Sequence, residues 1–396
     1  MQNKKTIKAG IIGSGFAASF HYAALQRVFS AAVEVVGVYS IAMDEAEDFA
    51  TSRGIKRYAT LQEIMADVDI IHVCVPPAYH EEIVLSALKA DKDVIVEKPF
   101  TGYFGNQDDR FNGDTFPREQ ALVYAIDSVK RMLQAEAKSK GRIMYAENWI
   151  YAPAVQKERE IIEKSKSQIL WISGEQSHSG SHSLSYGKWK LSGGGSLIGK
   201  GCHPLTAVFY LKAVEGYARL GRPIRPKTVS ARVHALTRMD SYDNKGYLKT
   251  HYSDIEDFAT LHLVFEDGTV ADIFANELSL GGTNNWLKIY ANNHRTECNM
   301  SHNNSMQTYT PEEKNFEDVY IVEKTETKQG WSQVSPDEGW FLGYQHEMNA
   351  FYNAHIENGR IESNSQLAAD TIITIYTAYL SAEKKGAELE ICLVSD

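Results

Sequence analysis

Apolar and polar positions alternate in two different rhythms along this chain, and the change of rhythm divides it. Over the first hundred residues, short apolar runs of strand type are separated by stretches of helical period. "TIKAGIIG" reads as a strand and "AASFHYAALQRVF" as a helix; "VEVVGVY" is a second strand, with a helix through "MDEAEDFATSRG". The alternation continues through "IKRYAT", a helix in "LQEIMAD", the strand "DIIHVCVPP", a helix in "HEEIVLSALKAD" and the strand "DVIVEKP". Strands alternating with helices of this length predict a parallel sheet covered on both faces, doubly wound through right-handed crossovers. Residues 101–118, "TGYFGNQDDRFNGDTFPR", are rich in Gly, Asn and Asp and have no apolar period. They predict a long loop, either a surface insertion or a lid. Helix returns in "EQALVYAIDSVKRMLQAEAKSKG", and "RIMYAENW" predicts the last strand of this half.

After about residue 150 the period changes to two. "KTVSARVHALTRM", "DFATLHLVFEDGTVADIFANEL" and "WLKIYANN" alternate as antiparallel strands do, with Asp267-Gly268 at a hairpin tip. Helices follow in "GWFLGYQHEMNAFYNAHIENG" and "SQLAADTIITIYTAYLSAEKKG". The expected organisation is α/β: a doubly wound domain over 1–150, carrying the insertion at 101–118, and an α+β domain over 151–396 built on an open, mainly antiparallel sheet. Such a sheet needs helices on one face and solvent or a second copy on the other, so the second domain is expected to serve both substrate binding and homo-oligomerisation.

Composition narrows the partners. A formal charge of −10 over 396 residues offers no general basic face for nucleic acid. Cys74, Cys202, Cys298 and Cys392 lie far apart without zinc-ligand spacing and are expected to be reduced thiols in a cytoplasmic protein. No apolar run is long enough to span a bilayer, and the start of the chain has no signal-peptide core.

The chemistry begins in "GIIGSGFAASFH", which places Gly13-Ser14-Gly15-Phe16-Ala17-Ala18 at a strand-to-helix junction. Gly13 permits a tight turn, Gly15 a close approach of backbone to a pyrophosphate, and Ala18 close packing of helix on sheet. This is the fingerprint of a Rossmann dinucleotide site. The second strand ends in Ser40, without an acid for a ribose hydroxyl or an adjacent arginine for a 2′-phosphate. NAD is the expected cofactor, with NADP as the alternative. The strand "DVIVEKP" ends on Glu97, Lys98 and Pro99, at the carboxyl end of a sheet where ligands sit. Proline keeps Lys98 extended, and beside a positively charged nicotinamide its ammonium form would be disfavoured.

These segments, together with "CVPPAYHEEIVLSALKADKDVIVEKPF" and "WKLSGGGSLIGKGCHPL", resemble the family of glucose–fructose oxidoreductases, inositol dehydrogenases and rhizopine-catabolism oxidoreductases. The resemblance covers most of the chain, more loosely after residue 210, and implies a nicotinamide-dependent oxidoreductase acting on a secondary hydroxyl or keto group of a sugar, polyol or glycoside. It makes Lys98 the catalytic lysine and adds Pro76, Pro77, His80, Glu97, Trp189 and Lys190 to the cofactor side. His203 takes the place of the family's histidine beside the reacting hydroxyl. The family's aspartate four residues earlier is here Gly199, followed by Lys200. The expectation is therefore that Lys98 carries most of the proton handling, that His203 chiefly hydrogen-bonds the substrate oxygen, and that Gly199 leaves room for a bulky substrate. Asn148, Trp149, Tyr151, His178, His182 and Lys200 are expected to line the sugar pocket, and no metal is expected. Some relatives cleave glycosides by transient oxidation and others are non-catalytic dinucleotide sensors; these are the alternative activities.

Overall fold

The computed structural model describes residues 6–394 except 106, 107, 109 and 302–305. The first half is one six-stranded parallel sheet in the order β3-β2-β1-β4-β5-β6. Its strands are β1 (Thr6–Ile12), β2 (Ala32–Tyr39), β3 (Lys56–Arg57), β4 (Ile70–Val73), β5 (Asp93–Glu97) and β6 (Ile143–Ala146). Between them run α1 (Phe16–Leu25), α2 (Met43–Thr51), α3 (Leu61–Asp67), α4 (His80–Lys89) and α5 (Arg118–Glu136). Every residue of β4, an internal strand, is buried, and so is every residue of β6, whose free edge is covered by Ser363 and Asn364. Chain order reverses between β1 and β4, and the residues that follow both strands meet at that crevice.

The described residues of segment 101–118 are held at several points. Tyr103 N donates to Tyr376 Oη (2.6 Å), Gly113 N to Asp254 (2.8 Å), and Arg238 makes two 2.7 Å bonds to Asp114. Tyr103 is stacked on Tyr124 and packed against Phe111 and Phe116. These contacts make the segment a strap joining the two halves of the chain.

Two short turns, α6 (Asn148–Tyr151) and α8 (Trp189–Ser192), bracket α7 (Pro153–Ser165) and β7 (Ile169–Ser177). Then come α9 (Ser196–Gly199), α10 (Cys202–Leu220), β8 (Pro226–His234), β9 (Phe258–Phe265), β10 (Val270–Asn276), β11 (Asn284–Ala291) and β12 (Arg295–Asn299). A β13–β14 pair (Gln307–Thr310 and Gly330–Gln333) precedes the turn α11 (Glu338–Phe341), α12 (Tyr344–Glu357), α13 (Ser365–Glu383) and β15 (Leu389–Glu390). The second sheet has the order β12-β11-β7-β10-β9-β8-β15; all its pairs are antiparallel except β7 with β10. One face alternates into the core through Ala259, Leu261, Leu263, Ala271, Ile273, Leu287 and Ile289. The other carries Trp171 stacked on Tyr290, Lys288 over Trp286, and Phe274.

The N-cap of α13 is Asn364, whose side chain accepts from Leu367 N (2.9 Å). From Ala368 to Ser381 this helix is buried all round, because it lies between α5 of the first half and β8 and α10 of the second. α12 returns to pack on α1. Among the described residues no helix is long and apolar enough to cross a membrane.

Candidate active site

The glycine loop after β1 has the form a pyrophosphate needs. Gly13 has φ +106°, and a Cβ there would lie 2.3 Å from the Cys74 carbonyl oxygen, so only glycine fits. A Cβ on Gly15 would meet no protein atom within 4 Å, so packing does not demand a glycine there. What its smallness provides is an exposed backbone at the start of α1, whose first-turn amides have no side-chain cap. Ser14 Oγ is buried without a hydrogen-bond partner, a cost of about 1–3 kcal/mol unless a ligand oxygen answers it. Ala18 is wholly buried against Ile11, Val38, Phe49 and Cys74, which lets α1 lie close on the sheet. Ala17 is half-buried; Phe16 is exposed with its ring edge-on to Phe20. Residues 13–18 therefore fit a bound dinucleotide. Ser40 stands at the end of β2, its Oγ accepting from Ala42 N (3.2 Å).

Glu97 closes β5, and Lys98 follows with a cis bond to Pro99. Behind Glu97 runs a buried chain of hydrogen bonds. His21 Nε2 lies 2.9 Å from Glu97 Oε1, His21 Nδ1 lies 2.8 Å from His72 Nδ1, and His72 Nε2 lies 3.0 Å from Tyr352 Oη. One set of tautomers satisfies all three: Tyr352 donates to His72, His72 Nδ1–H to His21, and His21 Nε2–H to the carboxylate. Burial holds His72 neutral, well below its ordinary pKa, with His21 adding to the effect. Burial would raise the Glu97 carboxyl, but the His21 bond and the nearby His21, Lys98 and His203 charges bring it below the usual range.

Lys98 Nζ donates to Gly199 O (3.2 Å) and lies 5.3 Å from the centre of the Tyr186 ring. Burial works against its ammonium, yet Tyr186, Cys202, Glu97 and Glu147 around it prevail, and its pKa is raised. The sequence reading anticipated a disfavoured ammonium. The protein's own groups oppose that, because two carboxylates face the lysine.

The second of those carboxylates is absent from the sequence reading. Glu147, immediately after β6, is fully buried and its Oε1 lies 2.5 Å from His203 Nδ1. The Trp149 ring stacks on the imidazole at 5.7 Å. The acid missing at position 199 is thus supplied from the other half of the chain. A Cβ at Gly199 would rest in ordinary contact with the Tyr186 ring, at 3.4 Å. Glu147, Cys202 and His203 present ligand-type atoms within 4.8 Å of one another, the one such group among the described residues. With Nδ1 and Oε1 at hydrogen-bond distance and the Lys98 charge beside them, these residues are arranged to share a proton, and a second cation there would be opposed.

The remaining residues separate into two sets. His80 is buried with its ring nitrogens 2.9 Å from Pro99 O and Val75 O, clamping the loops after β4 and β5. Pro77 is buried beside it and Pro76 half-buried. Asn148 donates to Leu342 O (2.8 Å), Tyr151 Oη accepts from Ser363 N (3.2 Å), and Trp189 donates to Tyr103 O (3.0 Å). These three side chains tie the interior together. Lys190 reaches the strap, 3.4 Å from Asp108 O, and His182 is exposed. Lys200 does come to the site region, buried in an ion pair with Glu277, which also accepts from Tyr252 (2.9 Å). His178 lies in the same group: burial, then Lys200, Lys324 and Lys98, keep its ring neutral. Of the residues sequence reasoning passed over, Glu147 was the most findable, because it is an acid at the carboxyl end of a parallel strand, like Glu97.

Residues 7–107 match the model of an oxidoreductase family described by its NAD-binding Rossmann fold. Over 92 residues the chain is 38% identical to glucose-6-phosphate 3-dehydrogenase of Bacillus subtilis, covering 23% of this chain and 26% of that one. An uncharacterised oxidoreductase of Synechocystis sp. is 22% identical over 73% of this chain and 71% of its own. The match to a yeast protein of Saccharomyces cerevisiae, at 28% identity, spans only 40% of each chain. Among solved structures, GenD2 from gentamicin A biosynthesis, in complex with NAD, superposes with a TM-score of 0.77 at 18% identity, covering 98% of this chain and 97% of that one. Scyllo-inositol dehydrogenase from Lactobacillus casei, with bound NAD(H) and scyllo-inositol, gives 0.71 at 15% identity over 98% and 99%.

Proposed function

Because the chain belongs to the oxidoreductase family with an NAD-binding Rossmann fold that includes the inositol dehydrogenases, we propose that it moves a hydride between nicotinamide and a secondary carbinol carbon of a sugar, polyol or glycoside. The observation that carries the reading is the convergence of Lys98 and the Glu147–His203 pair beside the carboxyl ends of β5 and β6. NAD, held by residues 13–18, supplies the hydride acceptor. His203 Nε2 takes the hydroxyl proton as the carbinol is oxidised, while Nδ1–H stays on Glu147, whose charge stabilises the imidazolium. Lys98, held as an ammonium, donates to the substrate oxygen and stabilises its developing negative charge. This reverses the division of labour expected from sequence; what supports it is the Glu147–His203 bond, which gives the base its own carboxylate partner.

The preference is for NAD. The three basic residues near Ser40 that might neutralise a 2′-phosphate are engaged elsewhere. Arg53 lies over the Phe49 ring and bonds Ser19, Arg57 bonds Glu47, and Lys56 lies 3.6 Å from Asp67. The aromatic open face of the second sheet supports association of two or more copies. The test of function is a panel of sugars, inositols and glycosides, each with NAD and with NADP, read by the reduced cofactor. Reduced cofactor formed in stoichiometry with a keto product supports the reading; no turnover across the panel refutes it.

A further inference from the structure

A further buried lysine, Lys324, joins the charges around His178, which also include Lys200 and Lys98. Lys324 lies between β13 and β14 with φ +63°, a left-handed backbone that a residue with a Cβ seldom adopts. Its side chain is only 4% exposed. Nζ donates to Gly180 O (3.0 Å), and its nearest carboxylate, Glu323, is 3.9 Å away. Glu277, the buried acid of this region, already accepts from Lys200, Tyr252 and Ser181. His178 Nδ1 accepts from Gly180 N (3.0 Å), so its proton sits on Nε2, leaving a neutral donor beside the two lysines. Lys98 likewise has a backbone carbonyl, Gly199 O, as acceptor. Glu277 is thus taken up by other donors, and Glu323, at 3.9 Å, is the carboxylate left to Lys324. Burial, with Lys200 and Lys249, outweighs Glu323 and Glu277 and pulls the Lys324 ammonium down to about 8, so it stays largely charged at neutral pH and an entering anion would favour that charge.

We propose that Lys324, with His178 Nε2–H beside it, receives an acidic group of the substrate, so that the sugar oxidised at Lys98 and His203 carries a carboxylate or a phosphate. The inference rests on the oxidoreductase reading and adds the substrate's charge to it. A strained backbone delivers a buried ammonium whose one hydrogen bond among the described residues is to a backbone carbonyl and whose carboxylate contact is long, at 3.9 Å; a ligand anion accounts for both.

The test compares wild type, Lys324→Met and Lys324→Arg on glucuronate and glucose 6-phosphate against glucose and myo-inositol, with NAD. Loss of a charge-assisted bond should raise KM for the acidic sugar about 10–100-fold in Lys324→Met, with kcat changed far less. Neutral sugars should respond little, and Lys324→Arg should recover part of the loss. Comparing glucuronate with glucose 6-phosphate tells a carboxylate from a phosphate. Equal or better efficiency on neutral sugars, or an equal effect of Lys324→Met on both kinds, overturns the proposal while leaving the oxidoreductase reading intact. If no sugar is turned over, that reading fails separately, and calorimetric titration of the NAD-loaded protein with the two acidic sugars decides. Binding lost in Lys324→Met sustains the anion site; binding that is absent, or indifferent to Lys324, overturns it.

Discussion

Replacing Glu147 by Gln isolates the charge behind His203. The amide has nearly the same shape, and its carbonyl oxygen can still accept from Nδ1, so the ring keeps its tautomer. What disappears is the negative charge 2.5 Å from Nδ1 that would stabilise the imidazolium. Hydrogen bonds to charged groups contribute about 1.5–3 kcal/mol and neutral ones about 0.5–1.5, so roughly 1–2 kcal/mol is lost, mainly where His203 is positive. That converts to about 5–30-fold in kcat. Folding should change little, because Glu147 Oε2 has no partner among the described residues and the amide that replaces it gains none. The assay is the initial rate of reduced-cofactor formation, with NADH fluorescence titration and thermal melting as controls. His203→Asn should cost about a hundredfold or more. Adding Glu147→Gln to it should cost nothing further, since the two act as one unit. A Glu147→Gln enzyme within twofold of wild type, or losses that simply multiply in the double variant, would refute the pairing.

Lys98→Met should lower kcat about a hundredfold or more and leave NAD affinity within a few-fold; near wild-type turnover removes Lys98 from the chemistry. Catalytic efficiency should be about tenfold or more higher with NAD than with NADP, and the opposite order would send attention back to Arg53, Lys56 and Arg57. Asp93 joins β5 to α12 through His355 Nδ1 (2.8 Å) and to Arg142 N (2.8 Å); burial would raise its carboxyl, but these bonds hold it below the usual range. Its contribution is therefore present above about pH 4 and lost as pH falls through the lower folded value, so Asp93→Asn should cost about 1–3 kcal/mol at pH 7, with the gap to wild type closing in acid melts. Light scattering at micromolar concentration should give at least a dimeric mass, and a Trp171→Glu change on the open sheet face should lower it; a monomeric wild type refutes the association.

The parts of this molecule that were legible from sequence are those where one residue's neighbours in the chain are also its physical reasons. Gly13 is required by the turn that closes on Cys74, and the run Val94-Ile95-Val96 is buried because β5 is central. β7 escaped notice although it is an internal strand of the second sheet, between β11 and β10. Its "SGEQS" half looks like loop because α10 starts against it: a Cβ on Gly174 would meet Leu287 at 2.7 Å and Pro204 at 3.0 Å, so bulk is excluded where a strand usually shows it. The His21–His72–Tyr352 chain joins residues from α1, β4 and α12, and no local pattern announces a contact of that span. Lys324 was invisible for the same reason, its meaning lying in Gly180 and Glu323, not in its own segment.

The placement of the acid at Glu147 instead of at position 199 changes what the site depends on. Glu97 pairs with Ala146 across β5 and β6, so the sheet itself fixes the spacing of Lys98 from Glu147. β6 is held further by Tyr145 N to Ser363 O (2.8 Å) and by Ser363 Oγ to Tyr145 O (2.6 Å), which anchor it just ahead of α13. Two of the three groups proposed for chemistry therefore stand on one rigid support, and only His203 comes from outside it, at the first turn of α10. An aspartate at 199 would have travelled with the histidine and kept it paired whatever the two halves did. With Glu147, any shift of α9 and α10 from the first sheet breaks the Glu147–His203 bond and the Lys98–Gly199 bond together. The proposed base is complete only when the halves are in register, and the buried α13 between them and the strap at 101–118 are what hold that register.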